Sequence, residues 1–244
     1  MDVICRNCES AIKGNYCNNC GQRTSINKVT FKETFQDFMD AVFSVSSPLL
    51  LTLKLLIVNP GKLFREYLNG KRKAYYKPVP FFVLTTIIYM LIRAFLNYNP
   101  MESIVAIEST KTSQNLVNSA AIYMAKNINS ILFTFVLSFA LVVKSFFFKK
   151  YRFAEYLAVS FYIIGFYMVI TTVLIFGLQY VSEQYKMMPF IFMFFYVVYA
   201  LTSLFQKKSI FIIIKIILLY FISLILYIIL GYGLSLFIVW MKTI

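Results

Sequence analysis

The sequence predicts an all-α polytopic membrane protein of about five transmembrane helices, with a small N-terminal zinc-ribbon knuckle. Three observations lead there. The 244 residues are 60% hydrophobic, against roughly 45–50% in ordinary globular chains. From residue 79 onward the apolar segments are long enough to cross a bilayer. The only cysteines form two C-x-x-C pairs, Cys5 with Cys8 and Cys17 with Cys20, all near the N-terminus.

The head, residues 1–24, carries the sharpest chemistry. Each C-x-x-C turn points two sulfurs at one ion, and four thiolates make a tetrahedral shell suited to zinc. Gly21 permits the tight turn after Cys20, whereas Glu9 holds the equivalent place after Cys8. Between the pairs, Lys13-Gly14-Asn15 has the composition of a hairpin tip. So short a segment buries no core. Structural zinc, which contributes about 10–16 kcal/mol in small peptides, would supply the folding energy. Iron in the same shell and a redox dithiol pair are the alternatives. A closed four-thiolate shell offers no position for substrate, so a structural role is expected.

No apolar leader is found between Met1 and Thr30, so the head is expected on the cytoplasmic side. Thiols stay reduced there, and clustered cysteines then favour metal over disulfides. The chain carries 24 Lys+Arg against 10 Asp+Glu, a formal charge of +14. No basic stripe interleaves with stacking aromatics near the head, so nucleic acid is not an expected partner. A protein partner is, and an oligomer is compatible with the sequence.

Residues 25–78 form a bridge. Thr30 and Glu33 fit a capping box, and Phe31, Phe35, Phe38, Val42 and Val45 then form an apolar stripe. That predicts an amphipathic helix, on the membrane surface or on the protein's own body. Asp37 and Asp40 fall on its solvent side. Ser47-Pro48 starts a second helix running to Val58. It is too short to span, and a re-entrant or interfacial position is expected, with a kinked span from Ala41 to Val58 as the alternative. Asn59-Pro60 repeats the start signal and Asn69-Gly70 provides a stop. Lys62, Arg65, Lys71, Arg72, Lys73 and Lys77 make a basic collar before the first span. They are expected to face anionic lipid headgroups, each at about 1 kcal/mol, or simply to set topology.

The paired cysteines, the run Asn59-Pro-Gly-Lys-x-x-Arg65-Glu-Tyr-x-x-Gly70-Lys-Arg-Lys73 and the aromatic-rich span after it resemble a bacterial family, domain of unknown function 3667. The likeness covers residues 5 to about 95. It implies a bacterial inner-membrane protein with a zinc-ribbon head and supplies no catalytic residues.

The body, residues 79–244, contains five candidate spans: Val79–Leu96, Asn129–Phe148, Tyr156–Leu178, Met187–Phe205 and about Ile216–Trp240. Basic residues concentrate in alternate loops, notably Lys149, Lys150, Arg152, Lys207 and Lys208. The positive-inside rule then places the N-terminus in the cytoplasm and the C-terminus outside. Arg93, Lys144 and Lys215 lie near span ends, where they can reach an interface. Glu155 lies beside Arg152 at the start of the third span. Gly165, Gly177, Gly231 and Gly233 are expected to allow close helix contact or a kink; the Gly231-Tyr232-Gly233 triplet lies within one apolar segment and is not read as an ion filter.

The chain has no histidine, no G-x-S-x-G and no phosphate-cradling glycine loop. The expectation is therefore a non-enzymatic membrane protein with a cytoplasmic docking or regulatory head. The alternative is a permease-like or lipid-handling protein, which requires a midplane cavity lined by Thr85, Thr86, Ser138, Ser160, Thr171 and Thr172.

Overall fold

The computed structural model describes residues 3–4, 10–12, 14, 16–19, 47–72, 74–98, 116–180, 185, 188–206 and 209–243. Cys5, Cys8, Cys20, Lys73 and the amphipathic helix expected after Thr30 lie outside these residues. The chain divides into two compact units, Met1–Ser44 and Val45–Ile244.

In the first unit, β1 (Val3–Ile4) pairs antiparallel with β2 (Ala11–Ile12), Ile4 opposite Ala11. The strands thus bring together the two ends of the segment that carries the first C-x-x-C. Gly14 follows with φ +115, a backbone that favours glycine, at the expected hairpin tip.

The second unit is helical in its described residues. Its elements are α1 (Ser47–Val58), α2 (Pro60–Leu68), α3 (Pro78–Phe95), α4 (Leu116–Lys126), α5 (Ile128–Phe146), α6 (Phe153–Leu178), α7 (Met188–Phe205) and α8 (Ile210–Thr243). The start and stop signals around α2 act as the sequence predicts. The Asn59 side chain accepts from the Lys62 N–H at 3.0 Å, and Gly70 takes φ +101 just past the end.

Four helices, α3, α6, α7 and α8, are long and apolar enough to cross a membrane. The chain is thus multi-pass by length and composition, with one qualification to the five spans expected. The stretch expected as the second span is α5, a helix of 19 residues, whose apolar run among the described side chains, Ile131–Phe146, is shorter than the other four. Its Phe135, Phe139 and Val143 are buried, and it packs between α6 and α8.

Helix α6 is the centre of the body. In its most apolar window 72% of the residues are buried, against 22% for α8, which is peripheral. The most extensive packing is between α3 and α6. Gly165 makes it possible: a Cβ there would sit 2.8 Å from the Phe81 ring and 3.2 Å from the Phe82 Cα. Gly231 likewise lies against Ile131 and Met124, but Gly177 and Gly233 have nothing within 4 Å of a would-be Cβ. The close contacts expected at those two positions are not made.

The last helix starts at Ile210, where the last apolar run begins, without the bend expected at its inner end. It runs unbroken for 34 residues from Ile210, about 51 Å, which exceeds the roughly 30 Å hydrocarbon thickness. Lys215 lies 4.8 Å from the Phe147 ring centre and Lys242 5.0 Å from that of Tyr123. The two lysines are separated by about 40 Å of helix, close to the distance between headgroup layers.

Several long-range contacts gather helix ends into one layer. Tyr162 of α6 donates to the Tyr76 carbonyl at 2.5 Å, and the Tyr76 N–H donates to Thr52 Oγ1 of α1 at 2.9 Å. Phe147, just past α5, stacks on Phe205 of α7 with centroids 4.0 Å apart. Tyr156, in the first turn of α6, donates to the Phe147 carbonyl at 2.7 Å, so the start of α6 meets the ends of α5 and α7, while the segment before α3 lies against Tyr162 further along α6.

Candidate functional site

The break between α1 and α2 explains how the collar region is held. Proline has no N–H, so Pro60 leaves the Leu56 carbonyl without its usual donor. Two further bonds are lost because the Gly61 and Lys62 N–H groups turn to side-chain acceptors, Ser203 Oγ at 3.1 Å and Asn59 Oδ1 at 3.0 Å. Three carbonyls at the end of α1 thus need partners. Two tyrosines of α7 provide them. Tyr196 donates to Leu56 O at 3.1 Å, and Tyr199 is shared between Ile57 O at 3.2 Å and Val58 O at 2.7 Å.

The contact is reciprocal. Helix α7 ends at Phe205, so its last carbonyls also lack intrahelical partners. Arg65 Nη1 donates to Ser203 O and, at 3.2 Å, to Leu204 O. Lys150 Nζ donates to Phe205 O at 3.4 Å. Positive side chains also suit the negative end of the helix dipole there. Ser203 Oγ completes the link by donating to Asn59 Oδ1 at 3.1 Å. Each helix end caps the other.

This clasp requires glycine at position 61. A Cβ there would lie 2.1 Å from the Ser203 carbonyl oxygen and 2.2 Å from its carbon. The nearest atoms are backbone, so moving a side chain aside cannot relieve the contact.

The basic residues expected to face headgroups separate into two groups. Arg65 is half-buried and turned to α7. Lys62, Lys71, Arg72 and Lys77 are exposed. Lys71 pairs with Glu66 at 2.7 Å and Lys62 approaches it at 3.9 Å. Such exposed pairs are worth only about 0–1 kcal/mol. Arg72 lies 5.9 Å from the Tyr67 ring centre. Glu66 also accepts from the Tyr75 hydroxyl at 2.5 Å. The Lys71 bond, then that of Tyr75, holds the Glu66 carboxyl below its ordinary range. Burial, then the bond to Glu66, pushes Tyr75 up to about 12.

Beside the clasp is a cavity of about 690 Å³, lined by Val58, Asn59, Arg65, Tyr199 and Ser203, with Phe195, Val198, Thr202, Gln206 and Ile213. No carboxylate is among these described lining residues.

The six midplane hydroxyls do not line it. Thr85 donates to Phe81 O and Phe82 O, Ser138 to Thr134 O, Ser160 to Tyr156 O, Thr171 to Tyr167 O and Thr172 to Met168 O. These bonds lie within their own helices. Thr86 Oγ1 is buried with no partner among the described residues. The ionisable groups near span ends also have local partners. Lys144 Nζ donates to Phe148 O and Tyr151 O, Arg93 Nε donates to Tyr98 O, and Glu155 accepts from the Arg152 N–H as a helix cap.

In the head, Cys17 is buried, its sulfur 4.0 Å from Ser10 Oγ, and Asn19 donates to that hydroxyl at 3.3 Å. Among the described residues no three metal-ligating side chains cluster; the other three cysteines lie outside them.

Sequence reasoning missed Tyr196, Tyr199 and Ser203. Their spacing of three and four residues puts three hydroxyls on one face of an apolar helix. That pattern was a usable signal.

Residues 47–90 match the model of a family described as "Protein of unknown function (DUF3667)". The stretch contains α1, α2 and most of α3, and hence the Asn59–Arg65 half of the clasp; the cysteines of the head fall outside it. No curated protein and no solved structure matches the chain.

Proposed function

We propose that this chain is a non-enzymatic integral protein of the bacterial inner membrane whose zinc-ribbon head docks a cytoplasmic protein partner. One observation carries the reading. Asn59, Gly61 and Arg65 of the family-matched stretch are engaged in holding α1 and α2 against α7, so this part of the motif supports an anchor more than a reactive site. In the proposed topology α3, α5, α6, α7 and α8 cross the bilayer, with the N-terminus inside and the C-terminus outside. The common layer of helix ends beside the collar supports that alternation, and the exposed collar lysines suit a cytoplasmic surface.

Cys5, Cys8, Cys17 and Cys20 would hold the zinc. Four thiolates suit a tetrahedral zinc shell by their chemistry. Cys17 is buried, and Ile4 pairs with Ala11 on either side of the first C-x-x-C in sequence. Bound zinc supplies folding energy and, with four thiolates, no open position. A permease-like body draws less support, because five of its six candidate hydroxyls are bonded within their own helices.

The test is affinity capture from membranes with the wild type and Cys17→Ser at equal abundance. A cytoplasmic protein retained by the wild type and lost from the variant is expected. Identical captures from the two would remove the docking role.

A further inference from the structure

We infer that the cavity beside the clasp is a binding site for one anionic phospholipid, a role independent of the head. Two observations converge on it. The first is a polarity gradient along α7. Phe195 and Val198 line one part of the cavity, Thr202, Ser203 and Gln206 another. These positions extend over about 16 Å of helix. With Val58 and Ile213 adding apolar wall and Asn59 and Arg65 adding polar wall, the cavity suits an acyl chain at one end and a headgroup at the other. Its 690 Å³ volume is within the range of sites that enclose small ligands.

The second observation is charge. Arg65 carries five N–H groups, and its bonds to the α7 carbonyls use those on Nη1. The Nε and Nη2 groups are left to meet a phosphate, for which a guanidinium is well shaped. Two lysines reinforce the potential around the same helix end. Lys150 Nζ lies 4.9 Å from the Phe205 ring centre, and Lys215 sits over Phe147, which stacks on Phe205. Basic pockets between spanning helices recognise anionic headgroups in this way.

The test uses the full-length protein in detergent, given equal amounts of phosphatidylglycerol and phosphatidylcholine and read by native mass spectrometry. One phosphatidylglycerol should be retained, about tenfold over phosphatidylcholine. Val198→Trp fills the apolar part of the cavity without touching the clasp and should abolish that preference at an unchanged melting temperature. Lys71→Ala, outside the cavity, should leave it intact. Glycerol phosphate, which has the headgroup's charge but no chains, should not displace the lipid. Equal retention of both lipids, or a preference that survives Val198→Trp, would overturn the assignment. So would a loss in Lys71→Ala as large as that in Val198→Trp. Displacement by glycerol phosphate would leave a plain anion site and overturn the lipid.

Discussion

Gly61→Ala is expected to pull α2 off α7 and to lower stability by about 3 kcal/mol. Overpacking usually costs about 1–3 kcal/mol because neighbouring side chains can shift. Here the added methyl meets the Ser203 backbone at 2.1 Å, so the helices themselves must separate. Separation also breaks the Gly61 bond to Ser203 and weakens the Arg65 cap. For a chain of this size each kcal/mol corresponds to about 2–4 °C, so thermal unfolding in detergent should shift down by roughly 6–12 °C. Gly177→Ala is the control. Nothing lies within 4 Å of its would-be Cβ, and alanine is the better helix former by about 1 kcal/mol. Its melting temperature should hold or rise. Equal behaviour of the two variants would mean that the contact at Gly61 has no energetic weight.

Removing the metal should have a still larger, strictly local effect. If four thiolates close around zinc, the purified protein carries one zinc per chain, and stripping it with a chelator forfeits about 10–16 kcal/mol of binding free energy. Among the described residues of the first unit, only two-residue strands stand to replace that. Amide hydrogens in residues 1–24 should lose protection from exchange, while those of the helical body keep theirs. Cys17→Ser should behave like the stripped protein. Unchanged protection in the head after metal removal would eliminate the zinc ribbon.

The parts of the structure set by local chemistry were readable in the sequence. Asn59, Pro60, Asn69 and Gly70 mark the bounds of α2 because caps and prolines act within one turn. The long spans were readable from apolar length alone. The Ile210 start of the last apolar run was readable, but a bend of its inner end before Lys215 was expected and is not made. In the structure the charge sits over aromatic rings and the helix continues through it. Helix α5, 19 residues from Ile128 to Phe146, covers nearly all of its predicted span.

The clasp was not readable from the Asn59–Arg65 side. Arg65 acts on backbone carbonyls more than a hundred positions away in sequence, and a carbonyl leaves no residue-specific trace. Composition alone placed Arg65 with the collar lysines. Only the packing of α2 on α7 separates a cation that caps a helix from cations that face solvent. Gly61 was similarly opaque, since a glycine required by another helix looks like one required by nothing.

The account's central claim is that the family motif is a clasp between two helix ends. A double-mutant cycle of Asn59→Ala and Ser203→Ala, measured by unfolding of the full-length protein, tests it most directly. Ser203 Oγ lies 3.1 Å from Asn59 Oδ1, and such a bond carries about 1 kcal/mol. The double variant should therefore be more stable than the sum of the single effects implies, by a coupling of roughly 0.5–1.5 kcal/mol. Strict additivity would mean that α2 and α7 do not meet through these side chains, and would contradict the clasp.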